Sequence, residues 1–506
     1  MAEKLLDAQG YMQKILLARI YDLVRVTPLQ HLDNLSERLG VSVHLKREDY
    51  QKIHSFKLRG AYNMIKNLSE GQLKAGIITA SAGNHAQGVA LSAQKLGIKA
   101  VIVMPTSTPD LKVDAVRHYG AEVVLYGDSF DESYAYAQSL SKKKSMTMIP
   151  PFDDPDVIAG QGTIAHEIIG QLDDIDTIYV QIGGGGLAAG IAVYIKTLLP
   201  DVRVIGVEAE GSASMQAALR AGKPVDIGYV SADGVAVRKA GNETFRVLSK
   251  YLDDIVTCSN DEICAAMKDI FDDTRAIAEP SGALSLAGLK KYVRDHNIHS
   301  GNHVAILSGA NVKFHTLRMV AERCDVGEMT EGILSVEIPE ARGAFLNFTK
   351  AIGSRTVTEF SYRYGADDRA RVFASVELSE GKKELNEISK SLKKSGYLVT
   401  DLTDDGIAKD HVRYMVGGHP NRKLNEKLFL FEFPATSNAL VRFLETLGDS
   451  YSITLFHFRI TGLEFCSVLC GFNLADHEEG IMDFIKKVGY PYEEVTSNTA
   501  YQQLLR

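Results

Sequence analysis

Four consecutive glycines, Gly183, Gly184, Gly185 and Gly186, stand between the apolar run Ile178–Ile182 and the small-residue stretch Leu187-Ala188-Ala189-Gly190. Glycine loses more chain entropy on folding than any other residue, so a run of four needs a reason. A phosphate cradle supplies one, because side chains would block an anion from the backbone N–H groups that open a helix. A close helix–strand contact is the alternative, and it usually needs only one or two glycines. The run therefore predicts a buried strand, a loop and a helix, with a ligand at the strand's carboxyl end.

The surrounding sequence repeats that plan. Short β-branched runs at Val43–Lys46, Ile77–Ala80, Val101–Met104, Val123–Tyr126, Val204–Glu208 and Val304–Leu307 alternate with longer helical patterns. Several are apolar almost throughout, as parallel strands buried on both faces require. Right-handed helical crossovers would join them into an open α/β sheet split into two lobes, over residues 1–327.

After about Glu328 the texture changes and the chain repeats itself. Ile338-Pro339 with Gly343–Leu346 and Phe348 matches Phe433-Pro434 with Asn438–Val441 and Phe443. Thr358–Arg363 matches Thr454–Arg459, and Leu392–Tyr397 matches Ile485–Tyr490. The offset stays at about 95 residues throughout, which predicts two copies of one module. Each reads strand, helix, two strands, helix, strand, the split βαβ plan, over residues 332–403 and 426–497. Val416-Gly417-Gly418-His419-Pro420 reads as the linker between them.

A chain of 506 residues is too long for one core. The net charge of −8, with no basic run interleaved with aromatics, argues against nucleic acid as a partner. The N-terminus lacks a secretory pattern, and no apolar stretch is long enough to span a bilayer. The cysteines Cys258, Cys264, Cys324, Cys466 and Cys470 are odd in number and lack zinc spacing; Cys466 and Cys470, four apart, could form a site but read as buried free thiols in an apolar strand, and a reducing cytoplasm fits.

Three more segments carry chemistry. In His54-Ser55-Phe56-Lys57-Leu58-Arg59-Gly60, a lysine opens a helix; alone it reads as a solvated charge or as an amine tuned for Schiff-base formation. The turn Ser81-Ala82-Gly83-Asn84-His85 follows the strand Ile77–Ala80 and suits a carboxylate at a helix N-terminus, or simple capping. Ser308 ends the strand Val304–Leu307, where it can bond a ligand or cap a helix. A rival reading also stands: Gly184, Gly186 and Ala189 satisfy a dinucleotide fingerprint, with Glu208 about twenty residues on. A nicotinamide-dependent dehydrogenase would leave Lys57 and Asn84 without a task.

In combination these segments resemble the fold type II family of pyridoxal-phosphate enzymes. With Val24–Leu29, Ala278-Glu279-Pro280-Ser281-Gly282-Ala283 and the paired modules, which look like ACT-like domains, the chain is similar over essentially its full length to the biosynthetic threonine dehydratases. The resemblance implies a two-lobed catalytic region followed by two tandem α+β regulatory modules. It implies that Lys57, flanked by Phe56, holds the cofactor as a Schiff base. Gly183, Gly184, Gly185, Gly186 and Leu187 would bind its phosphate, Asn84 its ring hydroxyl and Ser308 its pyridine nitrogen. Ser81, Ala82, Gly83, Asn84 and His85 would hold the substrate carboxylate.

The implied reaction is the conversion of L-threonine to 2-oxobutanoate and ammonia, and of L-serine to pyruvate, as the first step of isoleucine synthesis. Isoleucine would inhibit, valine activate, and the assembly would be a homotetramer. Similar serine racemases usually carry a second serine where Ala82 stands, so elimination is expected over racemisation. Those relatives bind a divalent cation near the strand ending in Glu208, but Ser214 stands here for an acidic ligand, so no metal is expected. Phe345, Phe348, Leu440 and Phe443 lie near the expected effector pockets, and helical core packing accounts for them equally well. A non-catalytic amino-acid sensor would explain the repeat but needs no intact Lys57 segment.

Overall fold

In the computed structural model, residues 5–504 are described except 229–236, 315, 354, 365–368, 411, 416–424, 435–438, 449–450, 460–464 and 475–479. The expected linker Val416–Pro420 lies outside the described residues. Two compact units divide the chain, Met1–Cys324 and Asp325–Arg506.

In the first unit the apolar runs become parallel strands because both their faces are covered. The strands are β1 (Leu29–His31), β2 (Ser42–Arg47), β3 (Ile77–Ala80), β4 (Ala100–Met104), β5 (Glu122–Leu125), β6 (Thr147–Met148), β7 (Thr177–Gln181), β8 (Arg203–Ala209), β9 (Asp254–Cys258) and β10 (Asn302–Leu307). They form two sheets, ordered β1-β2-β10-β7-β8-β9 and β5-β4-β3-β6. Every pairing is parallel except β1 with β2. β3, β4 and β7 are buried along their whole length, as the unbroken apolar runs require. The strands the apolar pattern does not announce, β1, β6 and β9, lie at sheet edges and are partly exposed.

Behind the helix Lys57–Lys66 lies a fully buried charge cluster. Arg59 donates to Glu48 at 2.8 Å and to Glu167 at 2.6 Å, and Lys46 reaches Glu167 at 2.7 Å. Two cations thus face two carboxylates out of water, where each needs the others. The cluster ties that helix to the strand β2 and to the helix Pro155–Ile169.

In the second unit the repeat becomes a single sheet. One module contributes β11 (Glu331–Pro339), β12 (Val357–Arg363), β13 (Arg369–Glu377) and β14 (Leu398–Asp401). The other contributes β15 (Glu426–Pro434), β16 (Ser452–Arg459), β17 (Phe465–Asn473) and β18 (Tyr492–Glu494). The order β14-β11-β13-β12-β16-β17-β15-β18 is a palindrome of the two copies. They join where β12 pairs antiparallel with β16, Ser361 opposite His457. Helices from both copies share one core with Phe348, Phe360, Phe431, Phe433, Phe443 and Phe456. Arg363 of the first copy ion-pairs with Glu426 of the second at 2.6 Å.

Candidate active site

The segments singled out by sequence converge at the carboxyl ends of β3, β7 and β10. Residues 54–56 run against residues 308–310: the Phe56 N–H donates to the Ser308 carbonyl at 3.0 Å, and the Ala310 N–H to that of His54 at 2.9 Å. This places Lys57 at the head of its helix. The helix Asn84–Leu96 approaches so closely that a Cβ on Gly88 would meet the Lys57 carbonyl at 3.2 Å. Ser81 and Gly83 precede that helix, with the Gly83 N–H on the Ser81 hydroxyl at 3.3 Å.

The Lys57 amine donates to the carbonyl of Pro151 at 2.9 Å and lies over the Phe56 ring. Desolvation pushes its pKa down to about 8 from 10.5, against the opposing pull of the Glu279 charge. His85 is buried and hydrogen-bonded through Nε2 to the Ile149 carbonyl at 3.0 Å. Desolvation first, then the nearby Lys57 charge, pushes its pKa down to about 3, so it is a neutral imidazole donating from Nε2. Both side chains are therefore held by one strap, Ile149-Pro150-Pro151.

The glycine run is packed from both sides. A Cβ on Gly184 would stand 2.1 Å from the Phe152 ring, and Gly185, at φ +94°, abuts Thr244. The Thr244 hydroxyl donates to the Gly184 carbonyl at 2.7 Å. Close packing, the alternative weighed against a phosphate cradle for the run, thus requires glycine at Gly184 and Gly185. The two demands agree, since the helix Gly186–Leu198 opens here and its first N–H groups have no partner within the helix.

Asn84 and Ser308 are set by neighbours that sequence reasoning missed. The Asn84 amide donates to Glu279 at 2.7 Å and accepts from Asn311 at 2.7 Å. Ser308 is buried and its hydroxyl reaches the Ser281 carbonyl at 3.4 Å. Gln181, whose Nε2 donates to the same Ser281 carbonyl at 3.3 Å, has a buried amide oxygen with no hydrogen-bond partner among the described residues. The run Ala278–Ala283 carried the family resemblance, but no local signal gave Glu279 a role.

Glu208 removes the dinucleotide reading. It is fully buried, and its carboxylate accepts the backbone N–H groups of Met215 and Gln216, each at 2.8 Å. A ribose cannot reach it. The residues present do fit pyridoxal phosphate: a desolvated amine for its aldehyde, a glycine-lined helix start for its phosphate and an orphaned polar atom beside Ser308.

A second concavity lies within the Asp325–Arg506 unit. A cavity of about 230 Å³ separates the turn Glu340–Leu346 of the first module from Leu444, Leu447, Gly448 and Tyr451–Thr454 of the second. Phe345, Leu346, Leu447 and Ile453 line it, and Glu340 at its rim accepts from the Tyr362 hydroxyl at 2.7 Å. Of the apolar residues expected near a pocket, Phe345 does line this cavity, while Phe348, Leu440 and Phe443 are core.

A lysine amine desolvated at the head of a helix and tethered to Pro151, whose neighbour Phe152 packs on a glycine loop, in a unit of two parallel-stranded sheets, is the arrangement of a pyridoxal-phosphate enzyme of the two-lobed type. Residues 20–309 match the family described as pyridoxal-phosphate dependent enzyme. Residues 322–412 and 417–505 match the C-terminal regulatory domain of threonine dehydratase. The chain is 54% identical over 499 residues to L-threonine dehydratase biosynthetic IlvA of Pasteurella multocida strain Pm70, covering 98% of this chain and 97% of that one. It therefore belongs to the biosynthetic threonine dehydratases.

Solved structures agree. The processed form of threonine deaminase isoform 2 from Solanum lycopersicum is 50% identical with a TM-score of 0.62, over 62% of this chain and 92% of that one. Serine racemase from Dictyostelium discoideum is 32% identical with a TM-score of 0.57, over 60% and 99%. Among the described residues no helix is long and apolar enough to cross a membrane.

Proposed function

We propose that Lys57 carries pyridoxal phosphate and that the chain converts L-threonine to 2-oxobutanoate and ammonia, and L-serine to pyruvate, at the head of isoleucine synthesis. The observation that carries this reading is the Lys57 amine, desolvated and tethered to Pro151 among the other site segments.

When bound, the cofactor supplies a sink for the charge that develops at the substrate's α-carbon. Lys57, freed when substrate takes its place, removes the α-proton as general base, and a pKa lowered to about 8 gives it a far larger neutral fraction near working pH than an ordinary lysine has. The backbone N–H groups of the Ser81–His85 turn hold the substrate carboxylate. Gly183–Gly186 and Leu187 hold the cofactor phosphate. Asn84 keeps one amide N–H for the ring hydroxyl, its other groups being engaged by Glu279 and Asn311. Ser308, a neutral hydroxyl, serves the ring nitrogen without adding a charge. Ala82 offers no hydroxyl on the opposite face, which favours elimination over racemisation.

The cavity between the modules suits a small amino acid, with Phe345, Leu346, Leu447 and Ile453 for its side chain and Glu340 and Arg342 among the lining for its charged groups. Isoleucine as inhibitor, with valine as activator, is the reading it supports. Such a ligand acts only through different affinities for two states of the enzyme. The buried thiols of Cys258, Cys264, Cys466 and Cys470 support a cytoplasmic location, and a homotetramer is the expected assembly. Incubation with L-threonine, with 2-oxobutanoate measured with and without L-isoleucine, tests both halves. Product suppressed by isoleucine supports them, product without suppression removes the regulatory half, and no product removes the catalytic one.

A further inference from the structure

We infer that Glu279 is a positioning residue for the reaction, aiming the Asn84 amide at the cofactor site and setting the charge that faces Lys57. This rests on the reading of Lys57 as the cofactor-bearing lysine.

The geometry around Glu279 is tight. Its backbone N–H donates to the Gly309 carbonyl at 3.1 Å, pinning it beside the end of β10. One carboxylate oxygen accepts from Asn84 Nδ2 at 2.7 Å and from the Ser281 hydroxyl at 3.0 Å. A Cβ on Gly309 would stand 2.4 Å from that same oxygen, so only glycine leaves room for it there. Asn311 Nδ2 meanwhile donates to Asn84 Oδ1 at 2.7 Å.

An amide has two N–H donors and one carbonyl. With its oxygen on Asn311 and one N–H on Glu279, Asn84 cannot flip without facing donor to donor and acceptor to acceptor. Its second N–H is thereby left with a fixed direction. A carboxylate enforces this more strongly than a neutral acceptor, because charge-assisted hydrogen bonds are roughly twice as strong.

The same carboxylate acts on Lys57. Among the described residues, the titratable groups that face the Lys57 amine are Glu279, from the start of the helix Pro280–Asp295, and His85, from the helix Asn84–Leu96. His85 is neutral, so Glu279 supplies the negative charge. A negative charge favours a proton on the Lys57 nitrogen, which is the state the general base reaches once it has taken the α-proton.

The test uses holoenzyme and two variants. In E279Q the acceptor survives and the charge is lost; in E279D the charge survives but is drawn back from Asn84. Titration of the cofactor's visible absorption band gives the pH midpoint of the Lys57-linked chromophore, and threonine turnover gives kcat. We expect E279Q to lower the midpoint by about one pH unit, a tenfold change in proton affinity, with kcat down tenfold or more. E279D is expected to lower kcat while keeping the midpoint within half that shift. A lower melting temperature with the parent's midpoint and kcat would mean a merely structural role and would overturn the inference. If E279Q does not fold, E279D decides: parental kcat in it overturns the positioning role. Borohydride reduction followed by peptide mapping separates the two readings. A label on another lysine rejects the Lys57 assignment, whereas a label on Lys57 with an unmoved midpoint rejects Glu279 alone.

Discussion

The Lys57 amine and the carbonyl of Pro151 meet at 2.9 Å, although 94 residues separate them. Proline has no N–H, so this segment offers the lysine only acceptors. A carbonyl tethers the amine without supplying the full charge that would fix a proton on it. Desolvation then prevails and the pKa falls to about 8. Only the neutral amine attacks an aldehyde. Reconstitution of the cofactor-free protein with pyridoxal phosphate should therefore speed up about tenfold per pH unit below 8 and level off above it. A rate still climbing at pH 10, as for an exposed lysine, would refute the tuned amine.

His85, its pKa lowered by the same desolvation, gives a stability prediction. Its folded pKa of about 3 lies below the ordinary 6.5, so the unfolded chain takes up the proton first. The stability tied to neutral His85 is fully present above pH 6.5 and is lost as pH falls from there toward 3. The loss approaches about 1.4 kcal/mol per pH unit in that window. Urea unfolding at pH 5 and pH 7 should show a smaller pH difference in His85→Asn than in the parent. An equal difference would show that another group carries the acid limb.

Arg59 sits between two buried carboxylates, and its removal leaves both without it. Arg59→Met should lower the stability of the Met1–Cys324 unit by about 3–5 kcal/mol, because breaking a buried pair strands a charge. Chemical denaturation monitored on this unit reads the change. A loss under 1 kcal/mol would mean that the cluster is not the lock on the Lys57 helix.

The cavity between the regulatory modules can be filled from Leu346, which lies on its wall and is partly exposed. Leu346→Trp should raise the isoleucine concentration for half-inhibition at least tenfold, equivalent to about 1.4 kcal/mol of lost affinity. Unchanged inhibition would move the effector elsewhere.

Much of the architecture is legible in the sequence because its signals are local and one-dimensional. β3, β4, β7 and β10 read as unbroken apolar runs since both faces are covered, and the module repeat shows as an offset between matching blocks. The edge strands β1, β6 and β9 do not read, because partial exposure lets polar residues in. The glycine run predicted the loop but only part of its cause, since Phe152 and Thr244 press on it from distant segments. Glu279 lies 195 residues from Asn84, and no spacing rule connects a glutamate at a helix start with an amide so far away. The spacing of Glu208 from the glycines fits a ribose ligand equally well, and only the fold turns its carboxylate onto the backbone N–H groups of Met215 and Gln216.

Every role proposed for the site depends on Lys57. The direct measurement is 2-oxobutanoate formation from L-threonine by Lys57→Ala, beside the parent enzyme, both saturated with pyridoxal phosphate. Loss of the general base alone removes about 10²–10⁴-fold in rate, and loss of the cofactor's covalent anchor adds to it. The expected result is turnover at least about a thousandfold lower, with no borohydride-fixed cofactor on that peptide. Turnover at the parent rate would contradict the assignment of Lys57 and, with it, the reading of the site.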